Sequence, residues 1–276
     1  MKTQAEKGAA FAALHARQSV LLLPNPWDLG SARLLEHLGF EALATTSAGF
    51  AFSRAKCDGA MGRDETLAHA AAIVAATDLP VSADLENCFG DSPQAVAETI
   101  RLAATTGLAG ASVEDSTGRP DSPQYGLAHA ADRVRAAAEA ARALHFPFTL
   151  TARAENFLVG RPDLNDAIAR LQAYQQAGAD VLYAPGLEKL EDVAALLRAV
   201  NRPVNVLAGA QFSVAALAQI GVRRISVGGA LARAAYGAFL QAAREIKQQG
   251  TFRFAAQAIS FREISAIFAA LPPAKS

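Results

Sequence analysis

The stretch VSADLENCFG at 81–90 carries two carboxylates, Asp84 and Glu86, two residues apart in a run that otherwise reads as a buried strand. Alternate residues of a strand point to one side, so both acids face the same way. Glu114, in GASVEDS at 110–116, falls at the matching level of the next strand. Three acids at one place repel and raise one another's pKa unless a cation sits among them. Oxygen-only ligation of this kind suits Mg²⁺, with Mn²⁺ as an alternative. Asp84, Glu86 and Glu114 are therefore the expected metal ligands. The competing reading is an internal ion-pair cluster with Arg153, from FTLTARAE at 148–155. Arg153 is also a natural fork for a substrate carboxylate, or for charge developing on an enolate oxygen.

Histidine narrows the chemistry by its placement. All five (His15, His37, His69, His129, His145) lie in helical or helix-flanking patterns and none at a strand end, which argues against a zinc triad or a Ser-His-Asp site. What remains is carboxylates, a metal, one arginine and Ser47. The segment SAGFAFSRAKCDGAMG at 47–62 reads as a long glycine-rich loop. Its Ser47, Ala48 and Gly49 are placed to offer backbone N–H groups and a hydroxyl to an anionic oxygen. Asp58, inside Cys-Asp-Gly, is either a turn residue or an active-site acid, and spacing leaves both open. Asn205 is the polar residue offered by the strand at 203–209. Gly209, Gly228 and Gly229 read as tight strand-to-helix turns rather than a phosphate site.

These residues need elements to converge them. Short apolar runs at 19–24, 41–47, 80–86, 110–116, 148–155, 179–186, 203–209 and 223–229 alternate with longer Ala/Leu-rich helical patterns. Strict alternation predicts a parallel sheet with helical crossovers, and eight units over this length predict an α/β fold of the (β/α)8 TIM-type barrel class. In that architecture the active site lies at the C-terminal ends of the strands, where the residues above fall. A doubly wound sheet is the alternative, but the first turn, NPWDLG, has no G-x-G-x-x-G. Residues 1–250 are expected to form the barrel with an N-terminal helix. Residues 251–276 form a helical extension whose stripe of Phe252, Phe254, Ile259, Phe261, Ile264 and Phe268 packs on its own barrel or on a neighbouring subunit.

The 276 residues carry 26 basic and 26 acidic side chains, a balance that argues against nucleic acid or an anionic membrane as partner. No apolar run approaches the roughly 18 residues that span a bilayer. With two cysteines, Cys57 and Cys88, and a charged amphipathic N-terminus in place of a secretory signal, a cytoplasmic location is expected.

Taken together and in order, PNPWDLGSARLLEHLGFEALATTSAG, PVSADLENCFGDSPQAVAETI, GASVEDS, TARAENF, GADVLYAPG and PVNVLAG resemble the isocitrate lyase/phosphoenolpyruvate mutase superfamily over roughly residues 15 to 245. The resemblance implies that Asp84 ligates Mg²⁺ directly while Glu86 and Glu114 hold it through water. It implies that Arg153 steadies the substrate's carboxylate and enolate, that Ser47 and Gly49 grip an anionic end, that Asp58 is a catalytic acid, and that Asn205 binds a carboxylate. It further implies a tetramer, or a dimer of dimers, that exchanges the last helix. The sequence departs from the lyases in lacking Lys-Lys-Cys-Gly-His on the loop after the fourth strand, which here is STGRPDSPQYG at 116–126. That loop also lacks the Lys and Asn of the phosphonate enzymes, and Arg119 is its one charge of that sign. The expectation is a Mg²⁺-dependent lyase or decarboxylase that cleaves a C–C bond of a small 2-oxo or 2-hydroxy di- or tricarboxylate through a metal-bound enolate. A P–C bond mutase or hydrolase using Asp58 and Arg119 is the first alternative. A non-catalytic 2-oxo acid binding protein is the second.

Overall fold

Eight short parallel strands alternate with helices in the computed structural model, which describes residues 2–271. They are β1 (Leu21–Leu23), β2 (Leu43–Ala44), β3 (Val81–Ala83), β4 (Gly110–Glu114), β5 (Thr149–Arg153), β6 (Val181–Tyr183), β7 (Val204–Leu207) and β8 (Arg224–Ser226). Their order in the sheet is β1-β8-β7-β6-β5-β4-β3-β2, every pair parallel. Each strand lies inside one of the eight runs read from the sequence and is shorter than it.

β1 and β2 share no ladder, so other bonds close the ring. Ala44 N donates to Pro24 O at 3.1 Å. The Asn25 amide spans the same seam, donating through Nδ2 to Thr45 O at 3.1 Å while Oδ1 accepts from Val227 N and Gly228 N at 3.0 and 2.8 Å. The result is a nearly closed (β/α)8 barrel.

Helix α1 (Gln4–Ala16) covers the N-terminal end of the barrel, where Phe11 is fully buried. Around the wall run α2 (Leu29–His37), α3 (Ser47–Ser53), α4 (Arg63–Ala76), α5 (Pro93–Ala104), α6 (Leu127–Arg142), α7 (Leu164–Ala177), α8 (Leu190–Ala199), α9 (Val214–Gln219) and α10 (Ala230–Gln249). Caps set their starts: Ser92 accepts from Ala95 N ahead of Pro93, and Asp163 from Asn165 N and Asp166 N. Gly178 stops α7 in the left-handed conformation, φ 107°, which an L side chain resists. The continuous core lies between strands and helices, with Ile73, Val96, Ile100, Leu150, Leu171 and Leu196 sealed from solvent. The barrel interior is mixed: Leu21, Leu23 and Ala44 pack with Phe11 of α1, while Ser82, Ser112 and Thr151 are buried alongside residues of the mouth.

One expectation changes. The segment at 47–62 is not wholly irregular, because its first seven residues form α3, capped by Thr46. The C-terminal extension contains α11 (Phe261–Ala270), which lies against α2 of the same chain, with the Phe268 ring beside Gly30. Residues 272–276 of that extension lie outside the described residues. Among the described residues, no helix is long and apolar enough to cross a membrane.

Candidate active site at the barrel mouth

Parallel register sets Glu114, Arg153 and Tyr183 side by side at the ends of β4, β5 and β6. Arg153 then distributes its guanidinium over three acids. Nη1 donates to Asp84 Oδ1 at 2.8 Å, Nη2 pairs with Glu114 Oε2 at 3.1 Å, and Nε donates to Glu155 Oε1 at 2.9 Å. Asp84 is fixed from its other side as well, since Oδ2 accepts from Ser47 N at 3.1 Å and its own N–H donates to Thr45 Oγ1 at 2.9 Å. The internal ion-pair cluster weighed from sequence is therefore present, but it does not balance. One guanidinium faces Asp84, Glu114, Glu155 and the nearby Glu86.

The excess is felt as proton affinity. Burial pushes the Glu114 carboxyl well above its usual range, with Arg153 opposing and the neighbouring acids adding to the push. Burial likewise raises Glu155, again against the pull of Arg153. Glu86 is pushed up to about 7, first by burial and then by the charges of Asp84 and Asp58. Its Oε1 is buried with no hydrogen-bond partner among the described residues.

The chain bends sharply to place Glu86. Glu86, Cys88 and Phe89 adopt left-handed φ values of 49°, 58° and 58°, which cost non-glycine residues energy and persist only where the surroundings enforce them. Arg133 of α6 is the enforcer. Fully buried, it donates through Nη2 to Asn87 O at 2.6 Å and through Nη1 to Gly90 O and to Asp91 O at 2.8 Å, with Tyr125 stacked 4.1 Å from its guanidinium carbon. Cys88 is sealed inside this turn, and burial pushes its thiol up to about 12.

A cavity of about 330 Å³ opens over the cluster, and Ser47, Asp58, Asp84, Arg153 and Asn205 all line it. The Asp58 carboxyl is raised by burial, an effect reduced by a bond from the Ser47 hydroxyl and reinforced by Asp84. Asn205 donates through Nδ2 to Ser226 Oγ at 2.9 Å, and its buried Oδ1 has no partner among the described residues. Glu86, Glu114 and Gly49 do not line the cavity. The Gly49 N–H donates to Thr46 Oγ1 at 3.2 Å as part of the α3 cap, and a Cβ there would lie 2.6 Å from Thr46 Cγ2 and 2.9 Å from Trp27 Cβ. Close packing accounts for that glycine in the structure.

Other polar residues at and beyond the end of β4 serve the scaffold. Asp115 is buried and accepts from Glu155 N, Gln124, Arg170 and Tyr174. Arg119 binds both oxygens of Asp91 at 3.1 and 2.9 Å and does not line the cavity. Sequence reasoning missed Arg224, Tyr183, Thr151 and Arg233, which do line it. Alternation was the available signal: Ile225 and Val227 are the apolar residues of their run, so Arg224 and Ser226 share the opposite, inward face.

Among the described residues, no three Asp, Glu, His or Cys side chains converge closely enough to enclose an ion by themselves. The donor set still fits a hard divalent cation that keeps most of its water, as Mg²⁺ does. It offers oxygen donors only, an excess of negative charge, and a buried Glu86 oxygen that nothing else satisfies.

A nearly closed parallel barrel with an acid–arginine cluster and cavity at the strand C-termini has the layout of an α/β-barrel enzyme. The chain belongs to the phosphoenolpyruvate phosphomutase family, whose model matches residues 11–247, and thus to the isocitrate lyase/PEP mutase superfamily. A crystal structure of a candidate lyase/mutase from Burkholderia cenocepacia J2315 is 59% identical, covers 97% of this chain and 98% of that one, and superposes with a TM-score of 0.95. An uncharacterized protein of Mycobacterium tuberculosis is 32% identical across 86% of this chain and 88% of its own length. The 2-methylisocitrate lyase of Escherichia coli K12 is 28% identical across 71% of this chain and 68% of its own. Superfamily members include carbon–carbon lyases of this kind.

Proposed function

We propose that this chain is a Mg²⁺-dependent carbon–carbon lyase or decarboxylase acting on a small 2-oxo or 2-hydroxy di- or tricarboxylate. The observation that carries the reading is the unbalanced acid cluster around Arg153, with a buried Glu86 oxygen that no group among the described residues satisfies. Asp84 would ligate the ion directly and Glu86 and Glu114 through water, and Mn²⁺ has the same donor preferences. Bound there, Mg²⁺ supplies Lewis-acid polarisation of a 2-oxo group.

The chain's own residues have separate tasks. Arg153 is gripped by acids on three sides, so its donors are oriented before substrate arrives and can meet negative charge developing on an enolate oxygen. Asp58 retains its proton to higher pH than an ordinary aspartate and shares a bond with the Ser47 hydroxyl at the cavity wall. That pair is suited to moving a proton at the substrate carbon or hydroxyl. Asn205 faces the cavity from β7, where an amide can hold a carboxylate. The relatives carry both chemistries, since the matching family model is that of a phosphomutase and one relative is a 2-methylisocitrate lyase, so the preference for C–C cleavage rests on the loop after β4. The P–C alternative drew on Arg119, and that side chain is occupied by Asp91. We further place the protein in the cytoplasm as a homo-oligomer, with the C-terminal helix exchanged between subunits.

Calorimetric titration of pyruvate, oxaloacetate and 2-oxoglutarate, with and without Mg²⁺, tests the reading on wild type and Asp84→Ala. Metal-dependent binding should weaken on the order of 100-fold in the variant, since ligand-shell losses have this size. Binding indifferent to Mg²⁺ and to Asp84 would sink the metal assignment. Tight binding without turnover of any acid would leave a binding protein in place of a lyase.

A further inference from the structure

Beneath the acid cluster the barrel holds a second cation. Arg224, on β8, is buried and lines the same cavity as Asp84 and Arg153. Among the described residues no carboxylate pairs with it. Nη1 donates to Thr151 Oγ1 at 2.9 Å and meets His15 Nε2 at 3.4 Å. Nε has no acceptor, and no hydrogen bond among the described residues involves Nη2. A buried guanidinium without a counter-charge is costly, and such groups are ordinarily paired. Burial, with Arg153 adding repulsion, pulls the Arg224 pKa down to about 10, so it remains charged at neutral pH.

The neighbours keep this charge available instead of cancelling it. His15 Nδ1 lies 2.7 Å from Phe11 O, and an N–H donated there leaves Nε2 as an acceptor toward Arg224. Burial and the Arg224 charge hold the His15 pKa down to about 4, so the ring is neutral. The interior residues between Arg224 and the mouth, Ser82, Ser112 and Thr151, are small and polar, and they leave the cavity open down to the guanidinium.

Resting on the function proposed above, we infer that Arg224, with Thr151 and Ser226, forms a second anion subsite on the barrel floor that takes the distal carboxylate of a dianionic substrate. The spacing suits it. Thr151, which anchors Arg224, stands two residues below Arg153 on β5, a drop of about 6.6 Å at strand rise. A four- or five-carbon diacid spans a separation of that order. Its near end meets the Asp84–Arg153 layer, and its far end supplies the counter-charge that Arg224 lacks.

The test uses ligand pairs that differ at the distal carboxylate: malate against 2-hydroxybutyrate, and 2-oxoglutarate against 2-oxovalerate. Each is titrated calorimetrically with Mg²⁺ into wild type and Arg224→Met. Wild type should favour the diacid of at least one pair by about 10- to 100-fold, the range of a hydrogen-bonded charge. The variant should lose that preference while its affinity for the monoacids stays unchanged. A preference that persists in the variant overturns the subsite, as does an equal loss for monoacids and diacids, which marks a structural role. Should Arg224→Met fail to fold, Arg224→Lys applies the same test, with a several-fold loss of preference expected and an undiminished one overturning the subsite. If no acid shows Mg²⁺-dependent binding to wild type, the lyase reading fails, and metal-free succinate decides the subsite separately. Succinate binding that disappears with Arg224 upholds it, and no binding rejects it.

Discussion

His15 shows how much a single residue's surroundings decide. With Nδ1 directed at Phe11 O and Nε2 facing Arg224, protonation would set two cations in contact at the barrel floor. Its folded pKa of about 4 lies below the unfolded value near 6.5, so the unfolded chain binds its proton more tightly between those limits. The stability this contributes is complete above pH 6.5 and is lost as pH falls toward 4. By pH 5 the loss comes to about 2 kcal/mol. His15→Gln should flatten the acid side of the stability curve by about that amount, read from urea midpoints at pH 7.5 and 5. Parallel curves for the two proteins would show that His15 is not the source. Legibility at this scale was uneven. Asp84, Glu86 and Arg153 stood out because charges inside a strand need partners. Arg224 did not, because it adjoins Arg223, and a residue pair straddling the pleat sends one side chain in and one out. Arg223 is the outward one, bound to Gln18 through Nη2 at 2.7 Å.

Among the elements, the turn from β3 to α5 carries the greatest functional load on the least regular backbone. Three left-handed residues are held there by the carbonyl bonds of Arg133, a residue of α6, three elements further along the chain. Arg133→Met leaves those carbonyls without their donor and should cost about 3–5 kcal/mol, the range for breaking a buried charged network. Because the same turn aims Glu86, the variant should also bind Mg²⁺ more weakly, measured by calorimetry at a temperature where circular dichroism shows it folded. Lower stability with unchanged metal affinity would separate the turn from the ion. Neither the turn nor its clamp could be read from the sequence, since Arg133 sits in an Ala-rich helix whose pattern says only which face is buried. Helix α3 was hidden for a related reason: glycine and an Asp-Gly pair suggest a loop, while the Thr46 cap and the packing around Gly49 favour a helix. The eight strands were legible because their apolar runs alternate with helical periods, a signal that does not depend on long-range contacts.

For the whole molecule, the uneven covering of the barrel wall matters most. α10 runs 20 residues with Ala232 as its one buried residue, and Phe239, Phe252 and Phe261 are 68%, 65% and 88% exposed. Leu22, on the outer side of β1, is also left 37% exposed. Exposed apolar side chains of this size are what a subunit interface of the proposed oligomer would cover. Light scattering coupled to gel filtration should therefore find an oligomer, and Phe239→Glu with Phe261→Glu should shift it toward monomer. A wild-type monomer at micromolar concentration would refute the proposed interface. The extension was visible as a stripe of aromatic residues, but a stripe does not say which surface receives it. The Asn25 clasp across the seam has a different consequence. The gauge of the barrel's opening is set there by one uncharged amide and backbone groups, whereas Arg119 and Asp91 tie the outer rim by charge. Brine strong enough to slacken the rim would leave the bore at its original calibre.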